Sequence, residues 1–136
     1  MLRTTEPPRC DELTLTELVL PEQANHYGTL FGPNALALLG KAAFLVATRY
    51  ARQAIVMAAA NRIEFLQPVP VGAVLKLSAR IARTGRSSLT ARVVGYLDSE
   101  QGPAADAVLR GDFEMVAVDA RGRPTPLQTP PNRRLP

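Results

Sequence analysis

The 136-residue chain has one cysteine, one histidine and no tryptophan, and only 5% of it is aromatic. The lone Cys10 excludes an intrachain disulfide. One Cys and one His are too few for a Cys/His metal site, so no metal is expected. Lysine occurs only at Lys41 and Lys76, so arginine supplies nearly all the positive charge behind the formal net charge of +4. The arginines are scattered and lack interleaved aromatics for base stacking, so no nucleic-acid surface is expected. No apolar run reaches the roughly 20 residues of a bilayer span. The longest candidate, 35–47, is interrupted by Lys41. Residues 1–11 are polar with two prolines, unlike a signal peptide. A cytoplasmic protein that does not enter the membrane is the expectation. There is no phosphate loop, dinucleotide fingerprint or nucleophile elbow.

What is present is a 46% hydrophobic composition built on Ala, Val, Leu and Ile, enough for one core. Residues 1–10 read as a flexible N-terminal arm. Residues 124–136, rich in Pro and Arg, read as a disordered or loosely docked C-terminal tail. One domain over 11–123 is expected between them.

Leu13 and Leu15 alternate with polar neighbours and lead into 18–20, a first strand that Pro21 stops. A turn-rich connection follows, with Asn25, Gly28 and Gly32. Pro33 suits the first turn of a helix, and the helix is expected from Asn34 to about Arg52. Leu36, Leu39, Ala43, Phe44 and Ala47 share one helical spacing, and Ala35, Leu38, Ala42, Leu45 and Val46 fill most other faces. A helix apolar nearly all round is expected to be buried nearly all round. A strand over 55–66 follows, closed by Pro68 and Pro70. Three segments then alternate with period two: Leu75, Leu77, Ala79 and Ile81; Leu89, Ala91, Val93 and Leu97; Leu109, Phe113, Met115 and Ala117. Thr84-Gly85-Arg86 is a hairpin-sized link. The order strand, long helix, four strands predicts an α+β domain in which a curved antiparallel sheet wraps one helix. Dimerisation, two sheets joining edge to edge, would cover what such a small unit leaves exposed.

Several segments carry a family resemblance. Asn25-His26-Tyr27-Gly28-Thr29-Leu30-Phe31-Gly32-Pro33 resembles the Asn-x-x-Gly-x-x-Phe-Gly-Gly loop of hotdog-fold acyl-CoA thioesterases of the YciA and cytosolic acyl-CoA hydrolase type, with Pro33 for the second glycine. Phe65-Leu66-Gln67-Pro68-Val69-Pro70-Val71-Gly72 is similar to that family's Phe-x-x-Pro-Val-x-Val-Gly turn. Arg83-Thr84-Gly85-Arg86-Ser87-Ser88 is similar to its Gly-Arg-Ser/Thr-Ser hairpin. Val118-Asp119, Gly122, Pro124 and Pro126 match its closing segment. The match spans most of 13–127. It implies the hotdog fold, a homodimer or trimer of dimers, and hydrolysis of an acyl-CoA thioester with no cofactor beyond the coenzyme A of the substrate.

The resemblance also assigns residues. Backbone amides near Gly32, at the positive end of the helix, would face the thioester carbonyl. Asn25 would hold the attacking water or the thioester. Gly28, Phe31, Asn61 and Arg62 would line the substrate. Arg83, Gly85, Arg86 and Ser87 would lie near the coenzyme A nucleotide, where arginine suits phosphate. Gly40 stands where the family carries an Asp two turns into the helix. Gly40 cannot accept a proton, and three readings follow. Another group serves, His26 or Glu64 being nearest in sequence; a different subunit supplies the Asp; or the chain binds acyl-CoA without cleaving it.

Overall fold

The computed structural model describes residues 10–99, 102–103 and 106–128. The chain runs β1 (Glu12–Leu18), a short 3-10 turn (Pro21–Gln23), α1 (Gly32–Ala51), β2 (Ile55–Phe65), β3 (Val74–Thr84), β4 (Ser88–Ser99), β5 (Gly102–Pro103) and β6 (Leu109–Ala117). The strands pair antiparallel in the order β1-β3-β4-β6-β2, with β5 extending the end of β4. α1 lies across one face of this sheet, which is the hotdog arrangement.

Period-two alternation builds that inner face. Leu75, Leu77 and Ala79 of β3, Leu89, Ala91 and Val93 of β4, and Leu109, Phe113, Met115 and Ala117 of β6 are buried. They meet Ala35, Leu38, Leu39, Ala42, Ala43, Val46 and Ala47 of α1. Burying each Leu or Val here contributes about 1.5–3 kcal/mol. The alanines let the helix lie close to the sheet. α1 begins at Gly32 with Pro33 in its first turn. It ends where Arg52 turns left-handed (φ 55) and donates its N–H to the Thr48 carbonyl at 2.8 Å.

The expectation of a helix buried on every side is corrected. Leu36 and Phe44 are 39% and 44% exposed. With Gly40 they form one stripe at i, i+4 and i+8. A single sheet covers only one side of a helix, and this stripe falls on the side toward β2, beyond the sheet's reach.

β2 is an edge strand, bonded to β6 alone. Its register breaks between Met57 and Ala59 and again between Asn61 and Glu64. At the second break Arg62 adopts φ 54, a left-handed conformation uncommon for a side chain that is not glycine. The alternation of β2 is therefore less regular than that of the inner strands. Ile55, Met57, Ala60, Ile63 and Phe65 sit opposite or beside inward residues of β6, whereas Asn61 and Glu64 sit opposite the outward Asp112 and Arg110. Gly111 makes this packing possible: a Cβ there would fall 2.4 Å from Ile63 Cδ1.

Residues 124–128, the start of the expected tail, lie against the domain. Thr125 N–H donates to Ala117 O, Leu127 N–H to Arg86 O, and Gln128 N–H to Gln53 Oε1. Leu127 packs on the core. Residues 129–136 of that tail and 1–9 of the expected arm lie outside the described residues.

Candidate active site

The loop before α1 is a closed unit organised by Asn25. Its Oδ1 accepts the N–H of Tyr27 (2.9 Å) and of Thr29 (3.2 Å), and its Nδ2 donates to Thr29 Oγ1 (3.1 Å). The Asn25 and Thr29 main chains pair at 2.8 Å, and Gly28 takes φ 81 to complete the turn. Two bonds tie the loop to the 66–72 turn: Leu30 N–H to Val69 O (2.7 Å) and Val71 N–H to Gly28 O (3.1 Å). The Asn34 amide clamps the other side through Gln23 O (3.0 Å). Asn25 thus places the helix start; one N–H of its amide remains without a partner among the described residues.

Phe31 is the N-cap of α1 and no side chain caps it. The first intrahelical bond reaches Ala35 N–H from Phe31 O. The N–H groups of Gly32 and Asn34 precede it and have no helical acceptor, and Pro33 has no N–H to offer. The helix dipole adds partial positive charge at the same point. Beside it opens a cleft of about 300 Å³ bordered by Gly32, Ala35, Phe65, Leu66, Val69 and Leu109. Phe65 Cε2 comes within 3.6 Å of where a Gly32 Cβ would be. Free donors therefore sit at the rim of an apolar slot. Such a pairing stabilises negative charge developing on an oxygen whose apolar substituent fills the slot.

The expected residues fall into separate groups within one chain. Asn25, His26, Gly28, Phe31 and Gly32 are together at the helix start. His26 is exposed there and rests its ring on Tyr27, centroids 3.9 Å apart. Asn61, Arg62 and Arg83 are together on the outer face of the sheet, around a polar cleft shared with Thr90, Arg92, Asp112 and Glu114. Arg92 binds Asp112 with two hydrogen bonds, 2.9 and 3.2 Å. The hydrogen bond and charge of Asp112 hold the Arg92 pKa above its ordinary value, against a small opposing effect of burial. Glu114 takes Arg83 at 3.1 Å and the Thr90 hydroxyl at 2.7 Å. Glu64 lies on this outer face too, paired with Arg110. It is on the opposite side of the sheet from α1, because the bulge at Arg62 sets the alternation after it. Gly85, Arg86 and Ser87 form the β3–β4 hairpin, where the carbonyls of Arg86 and Ser87 receive Leu127 and Ala117.

Gly40 lies in the third turn of α1, partly buried, with Met57 Cε 3.2 Å from where its Cβ would be. Sequence reasoning did not single out Met57. In a bulged edge strand nothing in the residue pattern says which helical position it will meet.

The thioesterase superfamily model matches residues 27–104. An uncharacterised acyl-CoA thioester hydrolase of Zymomonas mobilis is 35% identical over 120 residues, 88% of this chain and 79% of its own. The fold is similar to an acyl-CoA hydrolase of Staphylococcus aureus solved with butyryl coenzyme A and coenzyme A (TM-score 0.81, 26% identity, 85% of this chain and 71% of that one). It is also similar to an apo-hexameric acyl-CoA thioesterase (TM-score 0.80, 32% identity, 90% and 78%). Structures of the Staphylococcus enzyme with an asparagine, an aspartate or a threonine replaced by alanine are similar as well, and those three residues are spaced along their chain as Asn25, Gly40 and Met57 are here. On the family match and the extent of the shared fold, the chain belongs to the thioesterase superfamily.

Proposed function

We propose that the chain binds acyl-CoA thioesters and hydrolyses them at the start of α1. The observation that carries this reading is the uncapped helix start, with Gly32 and Asn34 N–H free beside an apolar cleft, in a chain of this family. The thioester carbonyl oxygen would take the Gly32 N–H, and the acyl chain would enter the cleft. As water adds to the carbonyl carbon, the oxygen's growing charge is met by fixed donors. The C–S bond then breaks, and the leaving thiolate takes a proton to become coenzyme A. Asn25 holds the donor loop in place and offers its remaining N–H toward the substrate. Arg83, Arg86 and Arg62 supply cationic partners for the nucleotide phosphates. Coenzyme A enters as part of the substrate, and the reaction calls for no further cofactor. Lacking a carboxylate at position 40, the site is expected to turn over on the order of 10²–10⁴ times more slowly than one with a positioned base.

The assembly proposed is a homodimer or a trimer of dimers. The long unpaired edge of β2, the exposed Val56 and Met57, and the Leu36–Phe44 stripe beside it support this reading, as does the hexameric relative. Joining two β2 edges would bring the helix start of one protomer toward the Gly40 region of the other. No helix among the described residues is long and apolar enough to cross a membrane, and a cytoplasmic location is proposed.

Free-thiol release on acyl-CoAs from acetyl to palmitoyl, with wild type and Asn25→Ala, tests the reading. Turnover by wild type that drops at least tenfold in Asn25→Ala is expected. Equal turnover in both refutes the site. Gly40 favours one second reading, binding without cleavage. Saturable acyl-CoA binding with no thiol release by wild type would select it.

A further inference from the structure

Position 40 is empty of side chain, but the space is occupied. Met57 leans from the inner face of β2 across Gly40, and its Cε sits 3.2 Å from a Cβ built there. That is tighter than ordinary van der Waals contact, so any side chain at 40 must displace the thioether. Met57 is also held at a break in the strand, since the register slips immediately after it. It remains 45% exposed, so it borders the surface beside the helix stripe rather than the closed core. The Staphylococcus hydrolase mutants place an aspartate and a threonine at the matching intervals. Two medium polar side chains there correspond to one absent and one large apolar side chain here. Their summed volume changes little, as tolerated exchanges in a packed gap require.

We propose that Met57, seated over Gly40, is a specificity-determining residue: the pair forms an apolar wall that touches the acyl group of the thioester and occupies the place where a carboxylate would otherwise stand. The inference rests on the acyl-CoA reading and goes beyond it. The wall contributes apolar contact to substrate and supplies no proton acceptor. It also makes positions 40 and 57 interdependent. An Asp introduced alone at 40 collides with the thioether, and its carboxylate is left against an apolar methyl with no room for water. An Asp with a smaller, hydroxyl-bearing neighbour at 57 has that room. It can then take a proton from the attacking water and return it to the departing thiolate, so that acyl-CoA and water give the acid and free coenzyme A.

The test is a double-mutant cycle on the full chain: wild type, Gly40→Asp, Met57→Thr and both together. Three readouts are taken: thiol release from octanoyl-CoA, calorimetric affinity for octanoyl-CoA and for coenzyme A, and Tm without ligand. Met57→Thr alone is expected to weaken octanoyl-CoA by roughly 3–10-fold and to leave coenzyme A unchanged, the size of a lost apolar contact in a pocket. Gly40→Asp alone is expected to lower Tm and to raise turnover less than about tenfold. The double variant is expected to recover Tm and to raise turnover by about 10² or more over wild type. A full rise in Gly40→Asp alone would overturn the proposal, as would additive Tm changes, or a double variant that binds octanoyl-CoA without faster turnover. Absence of acyl-CoA binding in all four proteins would refute the functional reading itself. The ligand-free Tm cycle then shows whether the Gly40–Met57 contact is a packing contact alone, so the two failures are told apart.

Discussion

Gly111→Ala is the sharpest test of how β2 is held against the site. Gly111 lies on the inner face of β6, between the outward Arg110 and Asp112. A Cβ there would meet Ile63 Cδ1 at 2.4 Å and Phe113 Cε1 at 3.2 Å. An ordinary contact needs 3.4–4 Å, so Ile63 must retreat by at least an ångström while the fully buried Phe113 ring has nowhere to go. The Ile63 methyl ends a flexible side chain on an edge strand, which keeps the cost in the middle of the overpacking range, about 2 kcal/mol. For a domain of this size that is a fall in Tm of roughly 6–12 °C. Gly95→Ala is the control: its Cβ meets Leu77 Cδ2 at 3.1 Å and Leu109 Cβ at 3.4 Å, a tight fit without a clash, and about half the loss is expected. Thermal and urea unfolding of the two variants measure both. Because Phe65 follows Ile63 and borders the Gly32 cleft, Gly111→Ala should also raise KM for acyl-CoA more than it lowers kcat. A Gly111→Ala protein within about 2 °C of wild type, or less affected than Gly95→Ala, would refute the packing argument.

Thr48 Oγ1 is buried with no hydrogen-bond partner among the described residues; Thr48→Val should raise stability by about 1 kcal/mol, read as a higher urea midpoint with unchanged slope. Arg92 and Asp112 are bidentate but part exposed, at 38% and 14% of their side chains. A double-mutant cycle with Arg92→Leu and Asp112→Val should give a coupling of about 1 kcal/mol. Since the folded Arg92 pKa is raised, its charge contributes at every pH below the ordinary arginine value and is lost only as pH rises through that higher pKa. Phe44→Asp places a charge in the exposed helix stripe and should lower the mass measured by light scattering toward that of one chain; an unchanged mass would refute the proposed interface.

The inner strands were legible because β3, β4 and β6 keep strict alternation, with apolar residues on one face and charge on the other. The helix was legible for its composition, and Pro33 marked its start to within two residues. Its burial was not, since Leu36 and Phe44 look like core residues in a one-dimensional pattern. Their exposure follows from how far a five-stranded sheet extends around a helix. The loop at Asn25 and the Gly32 start were legible as a motif. Glu64 was not placed: two register breaks in β2 decide its face, and alternation counted from Ile55 does not see them. Met57 was missed for the same reason. Its partner, Gly40, is visible in sequence only as something absent, and the contact that fills the gap comes from a strand seventeen residues on.

The most direct measurement is an amide chemical-shift map of the isotopically labelled protein titrated with butyryl-CoA thioether, a non-hydrolysable analogue. The largest shifts are predicted at Gly32 and Asn34, with Phe65 and Leu66 moving along the cleft. Shifts confined to the outer face around Arg62, Arg92 and Asp112, or none at saturating analogue, would contradict a thioester site at the start of α1.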